Sequence, residues 1–246
     1  MRINIDGSWT LFLDRDGVIN KRNFNGYITK TSEFEFKERA IEAISALSKV
    51  FKYIIVVTNQ QGIAKNIMSK RNLEQIHRYM IQEVDDCNGR IDAVYYSDNL
   101  RNAKFDRRKP NPNMALEAKK DFPDISFEKS IMVGDTDSDL RFGMNLGMKT
   151  VLVKSEEHTS VTPDLEVNNL IELVKKLNIS VVGHGFVGKA VDYGFPDSNC
   201  EKHIIDPIYG NDVSDLKECN IDISFVCVPT PMGRDASIDA SILINT

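Results

Sequence analysis

Residues 11–20 read LFLDRDGVIN, an apolar run that ends in Asp14 and Asp16 and then turns at Gly17. A short run that is apolar on both faces is the pattern of a strand buried inside a parallel sheet. Ligands of open parallel sheets bind beyond the C-terminal ends of the strands, so two carboxylates two positions apart face a crevice there. Taken alone, Asp-x-Asp-Gly also suits a plain turn or part of a calcium loop, the lesser reading.

Further apolar runs occur at 53–57, 93–96, 130–133 and 150–153, with amphipathic segments between them. In 38–50 (ERAIEAISALSKV), Ala40, Ile41, Ile44 and Leu47 fall at helical spacing. Ser69 can cap a second helix that carries Leu73, Ile76, Met80 and Val84 on one face. This alternation predicts an α/β fold built on a parallel sheet. Residues 167–177 read as a closing helix, after which the rhythm restarts at Ile179, so two domains are expected, 1–177 and 178–246. Residues 155–163 read as a surface loop.

The 246 residues are 41% hydrophobic and 27% charged, enough apolar material for one core or two, which excludes a disordered or collagen-like chain. A net charge of −5 gives no electrostatic reason to expect nucleic acid or an anionic membrane as partner. The four cysteines, Cys87, Cys200, Cys219 and Cys227, lack C-x-x-C spacing, which argues against a zinc finger and a secreted disulfide framework; the last three read as small apolar core residues. With neither a signal-peptide stretch nor a membrane-length apolar run, a soluble cytoplasmic protein is expected.

Three other segments resemble 11–20 in ending on chemistry. YIIVVTNQQGIA ends its apolar run in Thr58 and Asn59, RRKPNP carries Lys109, and SIMVGDTDSDL reaches Gly134, Asp135 and Asp139. Such a set suits phosphoryl transfer. Asp14 can attack phosphorus and form an aspartyl-phosphate, while Asp16 first protonates the leaving oxygen and then activates water. The candidate metal residues are Asp14, Asp16 through its backbone carbonyl, Asp135 and Asp139, whose converging oxygens call for Mg²⁺; Asp139 is expected to orient Lys109 or metal-bound water rather than to bind the metal directly. Lys109 and Thr58 offset the charge on the transferring oxygens, and Asn59 can hold a phosphate oxygen.

In these motifs residues 9–155 resemble phosphatases of the haloacid dehalogenase superfamily, in the branch of heptose bisphosphate and histidinol phosphatases: DRDGVIN, Tyr27, VVTNQQGIA and RKPNPNM carry the likeness. The resemblance implies a magnesium-dependent phosphatase with Asp14, Asp16, Thr58, Asn59, Arg108, Lys109, Asp135 and Asp139 in its site. That branch commonly holds zinc through a C-x-H and a C-x-C pair. Here the matching positions read Ser97, Asp98, Asn99 and Asp106, Arg107, Arg108, so no zinc is expected. The same loop is basic, with Arg101, Lys104, Arg107 and Arg108, and reads either as a solvated surface or as a clamp for a second phosphate or a sugar acid. The spacings leave no room for a separate cap domain, so an open site and a sugar phosphate substrate are expected, with a histidinol phosphate or a polynucleotide 3′ end as lesser alternatives.

ISVVGHGFVGKA places Gly183, Gly185 and Gly188 in G-x-G-x-x-G spacing after a strand, with Asp206 ending the next strand roughly 20 residues on. A third strand is expected at 221–228. Residues 179–243 resemble the NAD-binding half of nucleotide-sugar dehydrogenases of the UDP-glucose type, through GHGFVG, IIDP, FVCVPTPM and DASIDASIL. The resemblance implies a partial Rossmann unit with Gly183, Gly185, Gly188 and Asp206 toward NAD, while the family's sugar domain and catalytic cysteine have no counterpart. The unit is therefore expected to bind NAD weakly, to dock a partner or a second copy of the chain, or to be a remnant; His184 reads as a loop residue. A binding module defined by this unit is the alternative to the phosphatase reading.

Overall fold

The computed structural model describes residues 7–101, 106–174, 177–194, 200–217, 219, 221 and 223–228. It divides into two compact units, Met1–Val174 and Lys175–Thr246. The first is built on six strands: β1 (Thr10–Leu13), β2 (Tyr53–Asn59), β3 (Ala93–Ser97), β4 (Ser130–Gly134), β5 (Lys149–Val153) and β6 (Leu165–Val167). Their order is β3-β2-β1-β4-β5-β6, all parallel, with Leu13 beside Val56 on one side and Val133 on the other.

Side chains alternate across this sheet and divide its core in two. Leu11, Leu13, Ile54, Val56, Ile131 and Val133 face α1 (Ala40–Leu47) and α2 (Lys70–Asp86), whereas Phe12, Ile55, Val57 and Met132 face α3 (Asn113–Asp121) and α4 (Asp137–Asn145). Both strand faces are thus covered, which explains why the strands read as continuous apolar runs. Ser69 caps α2 by accepting from the Asn72 N–H at 3.1 Å, and Leu73, Ile76, Met80 and Val84 are all fully buried. Ile41 is only half-buried, with Ala43 taking the core position instead. Because the chain leaves β1 toward β2 on one side and returns at β4 on the other, the order reverses at the end of β1, where a crevice opens. Among the described residues no cap subdomain intervenes.

The second unit has β7 (Leu177–Val182), α5 (Phe186–Gly194), β8 (Cys200–Ile205) and β9 (Ile223–Val226), in a parallel sheet ordered β8-β7-β9. Several expectations are corrected here. Residues 167–177 do not form a closing helix: Val167 pairs in β6, Leu170–Leu173 make a single 3-10 turn, and β7 begins at Leu177. The run is too short for a helix once both ends are claimed by sheets, and the division falls three residues before the expected 177. The third strand is shorter than 221–228. Cys219 and Cys227 are half-exposed rather than core; the side chain of Cys200, Lys104 of the basic loop and the PTPM and DASIDASIL motifs lie outside the described residues.

Candidate active site

Asp14 follows β1 directly, and its backbone N–H bonds to the Val133 carbonyl of β4 at 2.9 Å, so the sheet's own ladder aims the residue at the crevice. Lys109 reaches it from the loop before α3. The ammonium donates to Asp14 Oδ1 at 2.6 Å, Asp139 Oδ1 at 2.7 Å and the Val57 carbonyl at 2.6 Å, which uses all three of its protons. Lys109, Asp14 and Asp139 are all buried. Burial alone would discharge the lysine, but Asp139 and Asp14 more than reverse this and hold its pKa above the ordinary value. Asn59 fixes the backbone of Lys109: its Oδ1 accepts from the Lys109 N–H at 3.0 Å and its Nδ2 donates to the carbonyl at 3.3 Å.

Asp139 is shared between two tasks. Its Oδ1 holds Lys109, while Oδ2 accepts from the Thr136 N–H at 3.1 Å and hydroxyl at 2.6 Å, capping α4. Both oxygens are engaged, which favours the orienting role over direct ligation. Asp135 is fully buried. Its Oδ1 accepts from Arg22 Nη2 at 2.7 Å, and its Oδ2 has no partner. The carboxylate lies where only glycine permits it: a Cβ on Gly17, whose φ is +98°, would fall 2.0 Å from Asp135 Oδ2. Burial and the neighbouring Asp14 raise Asp135 to about 8, and burial raises Asp14 to about 6 despite Lys109. A buried cluster of Asp14, Asp135 and Asp139 oxygens with one orphaned acceptor lacks positive charge, and an all-oxygen donor set fits a hard divalent cation such as Mg²⁺.

Asp16, in the same pocket, has a donor set of its own. Arg15 Nη2 donates to both its oxygens at 2.9 Å, Asn20 to Oδ1 at 3.0 Å and Gln60 to Oδ2 at 2.7 Å. Burial opposes ionisation, but these donors outweigh it and hold the carboxyl below its ordinary value. Thr58 is buried, its hydroxyl accepting from Gln60 at 2.9 Å. An open pocket of about 410 Å³ covers the group, with Arg22, Phe24, Tyr27, Gln61, Arg108 and Glu157 at its walls.

Of the residues expected from sequence, Asp14, Asp16, Thr58, Asn59, Arg108, Lys109 and Asp139 line this one pocket and Asp135 lies beneath it. Arg107 does not: its guanidinium pairs with Glu117 of α3. Asn99 ties the two ends of the loop, accepting from the Arg107 N–H at 3.2 Å. Arg15, Arg22, Gln60 and His77 were missed. Arg15 and Gln60 had a signal, since they lie inside the DRDGVIN and VVTNQQGIA segments that carry the family likeness, and His77 had one in sitting beside Ile76 on α2.

The second unit's glycine turn is closed from within. Gly183 has φ +88°, and a Cβ on Gly188 would fall 2.0 Å from the Gly183 carbonyl, so strand and helix meet at a distance only glycine allows. Asp206, expected to take a ribose hydroxyl, caps the turn: its Oδ2 accepts from the His184 N–H at 2.6 Å and its Oδ1 from the Ile208 N–H at 3.0 Å. Gly185 faces open space. His184 is more than a loop residue, since its ring bridges the Tyr209 hydroxyl and Asp192.

A carboxylate beside a charge-paired lysine and a buried acidic cluster, at the switch point of a doubly wound sheet, suits phosphoryl transfer. The comparisons agree with that geometry. A family model described as HAD-hydrolase-like matches residues 106–173. A D-glycero-alpha-D-manno-heptose-1,7-bisphosphate 7-phosphatase of Mycobacterium bovis is 36% identical over 138 residues, 56% of this chain and 73% of that protein. A D-glycero-D-manno-heptose-1,7-bisphosphate 7-phosphatase of Chlorobaculum tepidum is 31% identical over 189 residues, 69% of this chain and 94% of that one. The crystal structure of D,D-heptose 1,7-bisphosphate phosphatase from B. bronchiseptica, complexed with magnesium and phosphate, superposes with a TM-score of 0.55 at 25% identity, covering 58% of this chain and 79% of that one. The chain belongs to the haloacid-dehalogenase-like phosphatases, in the group typified by the heptose bisphosphate phosphatases. Among the described residues no helix is long and apolar enough to cross a membrane.

Proposed function

We propose that the protein removes a phosphate from a heptose bisphosphate or a closely similar sugar phosphate, with Mg²⁺ bound, through an aspartyl-phosphate on Asp14. The observation that carries this reading is Lys109 bridging Asp14 and Asp139 beside the orphaned oxygen of Asp135. Asp14, Asp135 and the Asp16 carbonyl would hold the ion, which when bound screens the carboxylates from the phosphoryl oxygens.

Asp14 Oδ2 is free of Lys109 and faces the pocket as nucleophile. It bonds to phosphorus as the bond to the sugar oxygen breaks, and that oxygen leaves as the alcohol by taking a proton from Asp16, which enters this step protonated. Lys109, whose charge sits beside Asp14, and Thr58, on the pocket wall, would offset the charge that develops on the transferring oxygens. Asp16, held ionised by Arg15, Asn20 and Gln60, is set as the base that takes a proton from water in the second step. Its use as acid in the first step requires it to leave Arg15 and arrive protonated. Water attack on phosphorus then releases phosphate and restores Asp14.

A pocket of about 410 Å³ suits a monosaccharide, and Arg108, on its wall, can meet a second anionic group. The names of the relatives support heptose bisphosphate among such substrates, and a cytoplasmic location belongs to the same reading. The test is phosphate release from a panel of sugar mono- and bisphosphates, histidinol phosphate and a 3′-phosphorylated oligonucleotide, with Mg²⁺, by the wild type and Asp14→Asn. Turnover of the sugar bisphosphate, lost in the variant, is the expected result; preference for either other substrate refutes the substrate assignment.

The C-terminal unit we propose to be a partial Rossmann unit of the dehydrogenase type. The β8-β7-β9 order and the Gly183–Gly188 packing support it, and the engagement of Asp206 implies weak NAD affinity at most. Calorimetric titration with NAD tests this, and micromolar affinity would refute the assigned role of Asp206.

A further inference from the structure

Arg22 lies on the loop after β1, in no strand or helix, yet its guanidinium reaches the bottom of the pocket. Nη2 donates to Asp135 Oδ1 at 2.7 Å and to the Asp16 carbonyl at 3.2 Å, while Nη1 meets Glu157 at 3.2 Å on the rim. Both acceptors belong to groups assigned above to the metal, Asp135 with its other oxygen unpartnered. We propose that Arg22 is a tethered counter-ion that occupies the divalent-cation site and competes with Mg²⁺ for it. This inference rests on the metal reading of the site.

The argument is steric and electrostatic. Magnesium sits about 2.0–2.1 Å from its oxygen ligands. Arg22 Nη2 already bridges the Asp135 carboxylate and the Asp16 carbonyl, so an ion drawn to that same carboxylate and carbonyl would meet the guanidinium at close range. Two cations on one buried carboxylate oxygen also repel each other at close range. The arginine's inner seat is imperfect, because its Nε is buried without a partner. Glu157, with 43% of its side-chain surface exposed, offers an outer seat at the pocket mouth. An ion bound at Asp135 would displace the guanidinium outward, toward Glu157. Without the ion, Arg22 offsets the charge of Asp135 and keeps the acidic cluster from opening.

The test compares chelator-stripped wild type with Arg22→Gln, by calorimetric titration with MgCl₂ alone and by thermal melting with and without the ion. Competition predicts that the variant binds Mg²⁺ about tenfold more tightly, one charge-paired hydrogen bond fewer being broken on entry. It also predicts a lower melting temperature without Mg²⁺ and a larger rise on adding it. Equal or weaker Mg²⁺ binding by a folded variant overturns the competition while leaving the metal site standing. Absence of binding by both proteins overturns the metal site and the competition with it. A crystal structure of the wild type with Mg²⁺ decides the point without any variant: Arg22 withdrawn from Asp135 supports it, and Arg22 still on Asp135 beside the ion overturns it.

Discussion

Replacing His77 by glutamine probes how α2 supports Asp16. The imidazole is 7% exposed, packs against Tyr96, and its Nε2 lies 3.3 Å from Arg15 Nη1. Arginine can only donate, so Nε2 accepts and the ring is neutral with its proton on Nδ1. Burial first and the Arg15 charge second lower the pKa from 6.5 to about 3. The folded chain thus refuses a proton that the unfolded chain accepts below pH 6.5. The stability this confers is complete above pH 6.5 and is lost progressively as pH falls toward 3. Between pH 6.5 and 5 the loss is about 2 kcal/mol, taking roughly 1.4 kcal/mol for each pH unit. Glutamine also accepts from Arg15 but does not titrate, so His77→Gln should flatten that slope at a cost of about 1 kcal/mol or less at neutral pH. Asp14 and Asp135 act in the opposite sense, since their raised pKa values give stability that is lost as pH rises through about 6 and about 8. They are common to both proteins and cancel in the difference. Urea unfolding of each protein at several pH values from 5 to 7 measures that difference, and parallel stability curves would refute the buried neutral histidine.

Other replacements test individual contacts. Asp16→Asn should slow water attack more than phosphoryl transfer, so that acid quench after mixing with labelled substrate traps phosphate on the protein; a variant with no trapped label and wild-type turnover would deny Asp16 its role as base. Lys109→Met leaves Asp14 and Asp139 facing each other in the interior and should cost about 3 kcal/mol in chemical unfolding as well as activity. Gly17→Ala forces a Cβ into Asp135 at φ +98° and should abolish Mg²⁺ binding by calorimetry, with about 2 kcal/mol of stability lost. Arg108→Gln should raise KM for a bisphosphate at least tenfold, whereas Arg107→Gln, which breaks only the pair with Glu117, should leave kcat/KM within about twofold.

Much of the site was legible because one rule of parallel sheets converts sequence position into spatial position: the residue after an apolar strand stands at the sheet's C-terminal edge. Asp14, Thr58 and Asp135 each follow or end such a strand, and no knowledge of packing was needed to bring them together. Lys109 has no strand to place it, and its assignment came from its motif and the resemblance. The misread closing segment 167–177 shows the limit of periodicity, since its apolar spacing suits a helix and only pairing with β5 on one side and β8 on the other makes its ends into strands.

The sequence by itself determined the class of fold, the strand-end carboxylates and the family, because these depend on local runs and on order along the chain. The tertiary structure alone decided which charges meet. Lys109 and Asp14 are 95 residues apart and Arg22 and Asp135 are 113 apart, and a hydrogen bond between such groups depends on a few tenths of an ångström that no spacing encodes. For the same reason Arg107 and Arg108, adjacent in sequence, part company: successive residues of a loop point different ways, and Glu117 captures the first while the second is left to line the pocket.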